Sequence, residues 1–65
     1  MAVVAFDDLE PREQIVVHLK DGAERYGRFT RFLYAGGHWW LSMNVYGHGR
    51  VDFRTDAIEF VEQKT

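Results

Sequence analysis

The sequence predicts an all-β domain: a small, strongly bent antiparallel barrel of five strands, preceded by a short helix. Three observations carry this prediction. Runs of alternating apolar and polar residues recur from residue 15 to residue 61, and glycine-bearing turns separate them at Asp21-Gly22, Ala35-Gly36-Gly37 and Gly47-His48-Gly49. The 65-residue chain is 46% apolar and 15% aromatic, yet it has no cysteine. A chain this short holds one domain, residues 1 to 65. Without disulfides or thiolate metal sites, its stability rests on buried rings and aliphatic groups or on self-association. Short strands divided by glycine turns favour a closed or nearly closed barrel, because closure removes sheet edges.

The elements follow in order. Asp7, Asp8 and Glu10 lie ahead of Pro11, and acidic residues near a helix start complement the macrodipole, so a short helix or helical turn is expected near residues 6 to 13. From Gln14 the pattern changes. Ile15, Val17 and Leu19 alternate with Val16, His18 and Lys20 as a strand rich in β-branched residues. Asp21-Gly22 is a strong hairpin signal, since both residues accept positive φ. The second strand, Glu24 to Tyr34, carries Gly27 in its interior, where a strand bends or another backbone approaches. Phe29 and Phe32 are three apart instead of two, a spacing that puts both rings inside only if the strand contains a bulge.

A third strand runs from His38 to Tyr46, with Trp39, Leu41, Met43 and Val45 on the core face and His38, Trp40, Ser42 and Asn44 on the other. Arg50 to Arg54 alternates strictly, with Val51 and Phe53 inward. Ala57 to Val61 forms the last strand with Ile58 and Phe60 inward, and Glu62 to Thr65 reads as a solvated tail.

Charge divides the chain into three parts within a net of −2. Acidic ends, with Asp7, Asp8, Glu10 and Glu13 at one and Asp56, Glu59 and Glu62 at the other, flank a body made cationic by Lys20, Arg25, Arg28, Arg31, Arg50 and Arg54. Such a balance argues against an indiscriminate polyanion binder, which needs many cations to neutralise phosphates. No apolar run approaches a membrane span. The start, Met1-Ala2-Val3-Val4-Ala5-Phe6, lacks the basic opening and long apolar run of a signal peptide, so a cytoplasmic protein is expected.

Two segments resemble those of the Sm-like family of small SH3-like barrels. Val17 to Phe29, with Asp21-Gly22 and then Gly27, is similar to the first Sm motif, and Phe53 to Val61, with Arg54, Asp56 and Ile58, is similar to the second. The resemblance spans residues 15 to 61. It implies an N-terminal helix, five strongly bent strands, and a ring in which the fourth and fifth strands pair between subunits. It also implies RNA binding, through an Asp and an Asn before the third strand and the Arg of the second motif. Here Arg54 matches, whereas the Asp position falls near Leu33, the Asn position near Gly37 or His38, and Thr55 replaces the glycine after the arginine. A second resemblance is to monomeric Sm-like inhibitors of the transcription terminator Rho, which share the Leu-Lys-Asp-Gly strand end and the late Arg-x-Asp-x-Ile. Those relatives bind protein.

The candidate site residues follow from both readings. Trp40, with Tyr34 or His38, forms a stacking platform for a base, worth about 1–3 kcal/mol per base; the competing reading is packing between subunits or a cover over a barrel end. Arg28, Arg31 and Arg54, with Arg25 and Arg50, line a phosphate-binding surface or pair across strands with Glu24, Asp52 and Glu59. His18, His38 and His48 lack metal-ligand spacing, and no phosphate loop or nucleophile elbow is present. Ser42, the only serine, has no sequence signature of an activating base. The expectation is therefore a non-enzymatic module without metal or cofactor. Its leading form is a homo-oligomeric RNA-binding ring acting through Arg54 and the aromatics near His38 to Trp40. The alternative is a protein-interaction module, a regulator or inhibitor docking on a larger machine by its exposed aromatic face or acidic N-terminal segment.

Overall fold

The alternating runs become strands. In the structure, a computed structural model describing residues 2–64, these are β2 (Gln14–Leu19), β3 (Glu24–Ala35), β4 (His38–Val45), β5 (Gly49–Arg54) and β6 (Ile58–Gln63), with a further short strand, β1 (Ala2–Val4), ahead of them. Every pairing is antiparallel, and the six strands lie in the order β1-β6-β2-β3-β4-β5. The sheet is open, with β1 and β5 as its edges; the closed five-strand barrel expected from the sequence is replaced by six strands without a closing pair. From β2 to β5, sequence neighbours are sheet neighbours because tight turns join them. At Asp21-Gly22 the Asp21 carboxylate accepts the Ala23 N–H, while Gly22 takes φ 94°.

Two irregularities decide which side chains face inward. In β3 the register slips between Phe29 and Arg31, leaving Thr30 as an extra residue. The slip reverses the alternation, so Phe29 and Phe32 both turn to the core, with ring centroids 5.1 Å apart, as their spacing predicts. In β6 the register shifts opposite His18 and Leu19, so Ile58 and Val61 are buried in the core. Phe60, expected inward, lies on the other face and stacks on His18 at 4.1 Å.

Ile15 and Val17 of β2, Phe29 of β3, Leu41, Met43 and Val45 of β4, and Ile58 and Val61 of β6 form one core cluster. A single sheet brings those strands into one cluster only by curling over itself. Phe6, Phe32, Val51 and Phe53 pack against its margin.

The N-terminal segment departs from expectation. Residues 6 to 13 hold one 3-10 turn, Phe6–Asp8, and no α-helix. The chain then leaves helical geometry through Leu9, at φ −75° and ψ 136°, and Arg12, at φ 71°. Backbone bonds fasten this stretch to β3: Arg12 N–H donates to Phe29 O, and Phe29 N–H to Glu13 O. Ahead of it, Ala2, Val3 and Val4 pair with Gln63, Glu62 and Val61. At the other end, Glu62 and Gln63 belong to β6, and the Lys64 N–H donates to Gln14 O, so the expected solvated tail is sheet as far as Gln63. Thr65 lies outside the described residues.

Candidate docking site

The face expectation for β4 holds at its centre and fails at its start. Leu41 and Met43 are wholly buried, but Trp39, on the same face, is 55% exposed because β3 and β4 extend past the end of the core. Its cross-strand partner is Tyr34, 60% exposed, and the two rings meet edge to face with centroids 5.3 Å apart. Such pairs contribute about 0.5–1.5 kcal/mol beyond burial, enough to hold both rings in fixed orientation without covering them.

Below this pair the 3-10 turn brings Phe6 to within 5.5 Å of the Phe32 ring. Phe6, Asp7, Phe32, Trp39 and Thr55 line one cleft at this end of the sheet. Phe6 and Phe32 are half-buried, and Asp7 is exposed, with no ion pair among the described residues. The combination is a fixed aromatic surface bordered by one free carboxylate. Apolar rings exposed beside one another mark interaction sites more than scattered single residues do.

The residues expected to form an RNA site divide between the two faces. Trp40 and Arg54 are direct cross-strand partners, so the structure brings these two together on the face opposite Trp39. His38 and Arg31 occupy the same face of β4 and β3, and Arg28, across from Asn44, lies further along it. Tyr34 is on the other face with Trp39.

Several polar groups of that outer face are already engaged, whereas Arg31 is exposed and its side chain makes no hydrogen bond or ion pair among the described residues. The Arg54 guanidinium grips Asp56 with two hydrogen bonds, of 3.1 and 2.6 Å, and Trp40 Nε1 donates to Ala35 O at 2.9 Å. Arg28 donates to Arg12 O, and Arg50 pairs with Asp52. The Arg54 contact holds the Asp56 carboxyl below its ordinary 3.8. Asp52 is held below the same value by Ser42 first and by Arg50 after it. Ser42 itself is wholly buried opposite Asp52, and its hydroxyl makes no hydrogen bond among the described residues.

Asp7 belongs to the acidic N-terminal segment expected to dock in the protein-interaction reading, whereas Phe6, Phe32 and Thr55 were not among the expected site residues. The three-residue spacing of Phe29 and Phe32 signals part of this group in the sequence; Phe6 reaches it through the fold of the N-terminal segment. No helix among the described residues is long and apolar enough to cross a membrane. Compared with known protein families, curated proteins and solved structures, the chain matches none.

Proposed function

We propose that this chain is a non-catalytic protein-interaction module, a small Sm-like barrel that docks on a larger protein through its Trp39-Tyr34 end. The observation that carries the reading is the edge-to-face Tyr34–Trp39 pair, two large rings left more than half exposed beside the Phe6–Phe32 cleft. Rigid aromatic side chains of this kind are enriched at protein interfaces, because they lose little freedom on being covered. The return of β6 to lie beside β2 supports the barrel reading, since that connection lets five strands curl around one core.

Two further observations favour a protein partner over an RNA-binding ring. Two of the outer-face arginines, Arg50 and Arg54, are paired with Asp52 and Asp56, which lowers the positive potential a phosphate chain would meet. A ring built by pairing the fourth and fifth barrel strands between subunits uses the outer edge of β6. Here β1 occupies that edge, which supports a chain acting without a ring.

The test compares RNA with protein. Fluorescent U-rich and A-rich oligonucleotides, titrated at low salt, are expected to leave the protein unbound. Affinity capture from a cell extract at about 0.5 M salt, where surface charge contacts are screened to a few Å, is expected to retain a partner on the wild type and lose it on Trp39→Ala and Tyr34→Ala. Tight RNA binding that falls steeply with salt and is lost in Arg54→Ala would reject the protein-docking reading in favour of the RNA module.

A further inference from the structure

We propose that the cleft lined by Phe6, Asp7, Phe32, Trp39 and Thr55 takes a cationic side chain, an arginine or lysine presented by the protein partner. This inference rests on the docking reading above and deepens it by naming what enters the cleft.

Three features of the cleft lead to a cation. Its walls are mainly aromatic: Phe6 and Phe32 stand 5.5 Å apart, with Trp39 completing the lining. Aromatic faces carry negative potential, and indole is the best cation acceptor among them. The single acidic group of the lining, Asp7, has no ion pair among the described residues, so a cation seated on the rings finds a carboxylate that is not already neutralised. Asp8, the next residue in the same 3-10 turn, adds a second negative charge, and the turn holds no basic residue.

The remaining groups do not oppose this assignment. Arg54, next to Thr55 in the chain, is turned to the opposite face and bound to Asp56. Thr55 is half-buried, lines the cleft and carries no charge. A neutral apolar side chain would fill the same space but would leave the Asp7 carboxylate without a counter-charge, whereas a cation supplies one. A guanidinium suits the site best on shape, because its plane stacks on an aromatic ring while its edge N–H groups remain free for the carboxylate.

The experiment uses three short capped peptides, identical except for a central arginine, citrulline or leucine, titrated into the full chain. Binding is followed by backbone and indole amide NMR signals. The arginine peptide is expected to shift the signals of Phe6, Asp7, Phe32 and the Trp39 indole in a saturable way, and to leave the Trp40 indole unmoved. Citrulline, which keeps the shape and loses the charge, is expected to bind at least about threefold more weakly, and Asp7→Asn to reduce arginine affinity by a similar factor. Asp7 is exposed, and an unchanged spectrum elsewhere verifies that the variant is folded.

Equal binding of the leucine or citrulline peptide, indifference to Asp7→Asn, or the absence of saturable shifts at the cleft would each overturn the cation assignment. None of these results alters the capture experiment with Trp39→Ala and Tyr34→Ala, so the assignment and the docking function fail separately.

Discussion

Gly27 of β3 crosses Asn44 of β4 so closely that a methyl group on the glycine would overlap the Asn44 carbonyl. The obstruction is backbone, joined to Val45 of the core, and cannot swing aside as a side chain can. Gly27→Ala is therefore expected to destabilise the fold by about 3 kcal/mol, the upper part of the range for overpacking. A domain of this size has only about 3–5 kcal/mol in total, so about 0–2 kcal/mol would remain, and urea titration followed by tryptophan fluorescence should find the midpoint shifted close to zero denaturant. A variant with a wild-type midpoint would show that the β3–β4 crossing relaxes.

Core and docking end should separate cleanly in stability measurements. Leu41 is wholly buried, and Leu41→Ala is expected to lose about 2–5 kcal/mol through lost burial and the cavity left behind. Trp39→Ala is expected to lose about 1 kcal/mol, chiefly the ring contact with Tyr34, and to keep a dispersed NMR spectrum. A Trp39→Ala protein that unfolds would assign the ring to the core.

Acid stability should depend on Asp52. Its folded-state carboxyl titrates below the ordinary 3.8, through Ser42 and then Arg50. A depressed carboxyl contributes stability that is present above the unfolded-state value and is lost as pH falls through the folded-state value. Stability is therefore expected to be level above about pH 5 and to decline below about pH 4, with Asp52→Asn flattening the decline. Ser42→Ala should raise the Asp52 carboxyl toward 3.8, read from side-chain carbon shifts during titration; an unmoved value would remove Ser42 as the cause.

The β1 strand is expected to control self-association. Ala2, Val3 and Val4 cover the outer edge of β6, and Val4 also packs against the core. Light scattering after size-exclusion chromatography should give a monomer mass for the whole chain. Removal of residues 1–4 exposes the N–H and C=O row of β6, and the expected result is a mass of two or more subunits. A truncated chain that stays monomeric would mean that the edge is inert without its cover.

Most of the strand pattern was legible in the sequence, because β2, β4 and β5 alternate regularly between glycine turns. What escaped had its cause elsewhere in the chain. Ala2-Val3-Val4 is too short to signal a strand and becomes one only by pairing with β6. Phe60 satisfies the alternation rule for the core, but the shift opposite His18 and Leu19 turns it outward. Trp39 obeys its face and still lies in solvent, since periodicity gives the direction of a side chain and not how far the core extends. At the candidate site, Trp40 opposite Arg54 was foreseen as a neighbourhood. The engagement of both groups by Ala35 and Asp56 depends on geometry that spacing does not encode.

The slip at Thr30 has a genetic consequence. Up to Phe29, β3 is in one phase, and beyond it Phe32 and Tyr34 face the core side only because one residue is in excess. Deleting the single codon for Thr30 would leave the composition of the chain almost intact. Arg31 would then follow Phe29 directly and stay on the outer face, so regular alternation alone would keep Phe32 and Tyr34 on the side of Trp39. The facing of the aromatic end thus survives loss of the extra residue, and it would be reversed only in a strand that kept Thr30 without the slip.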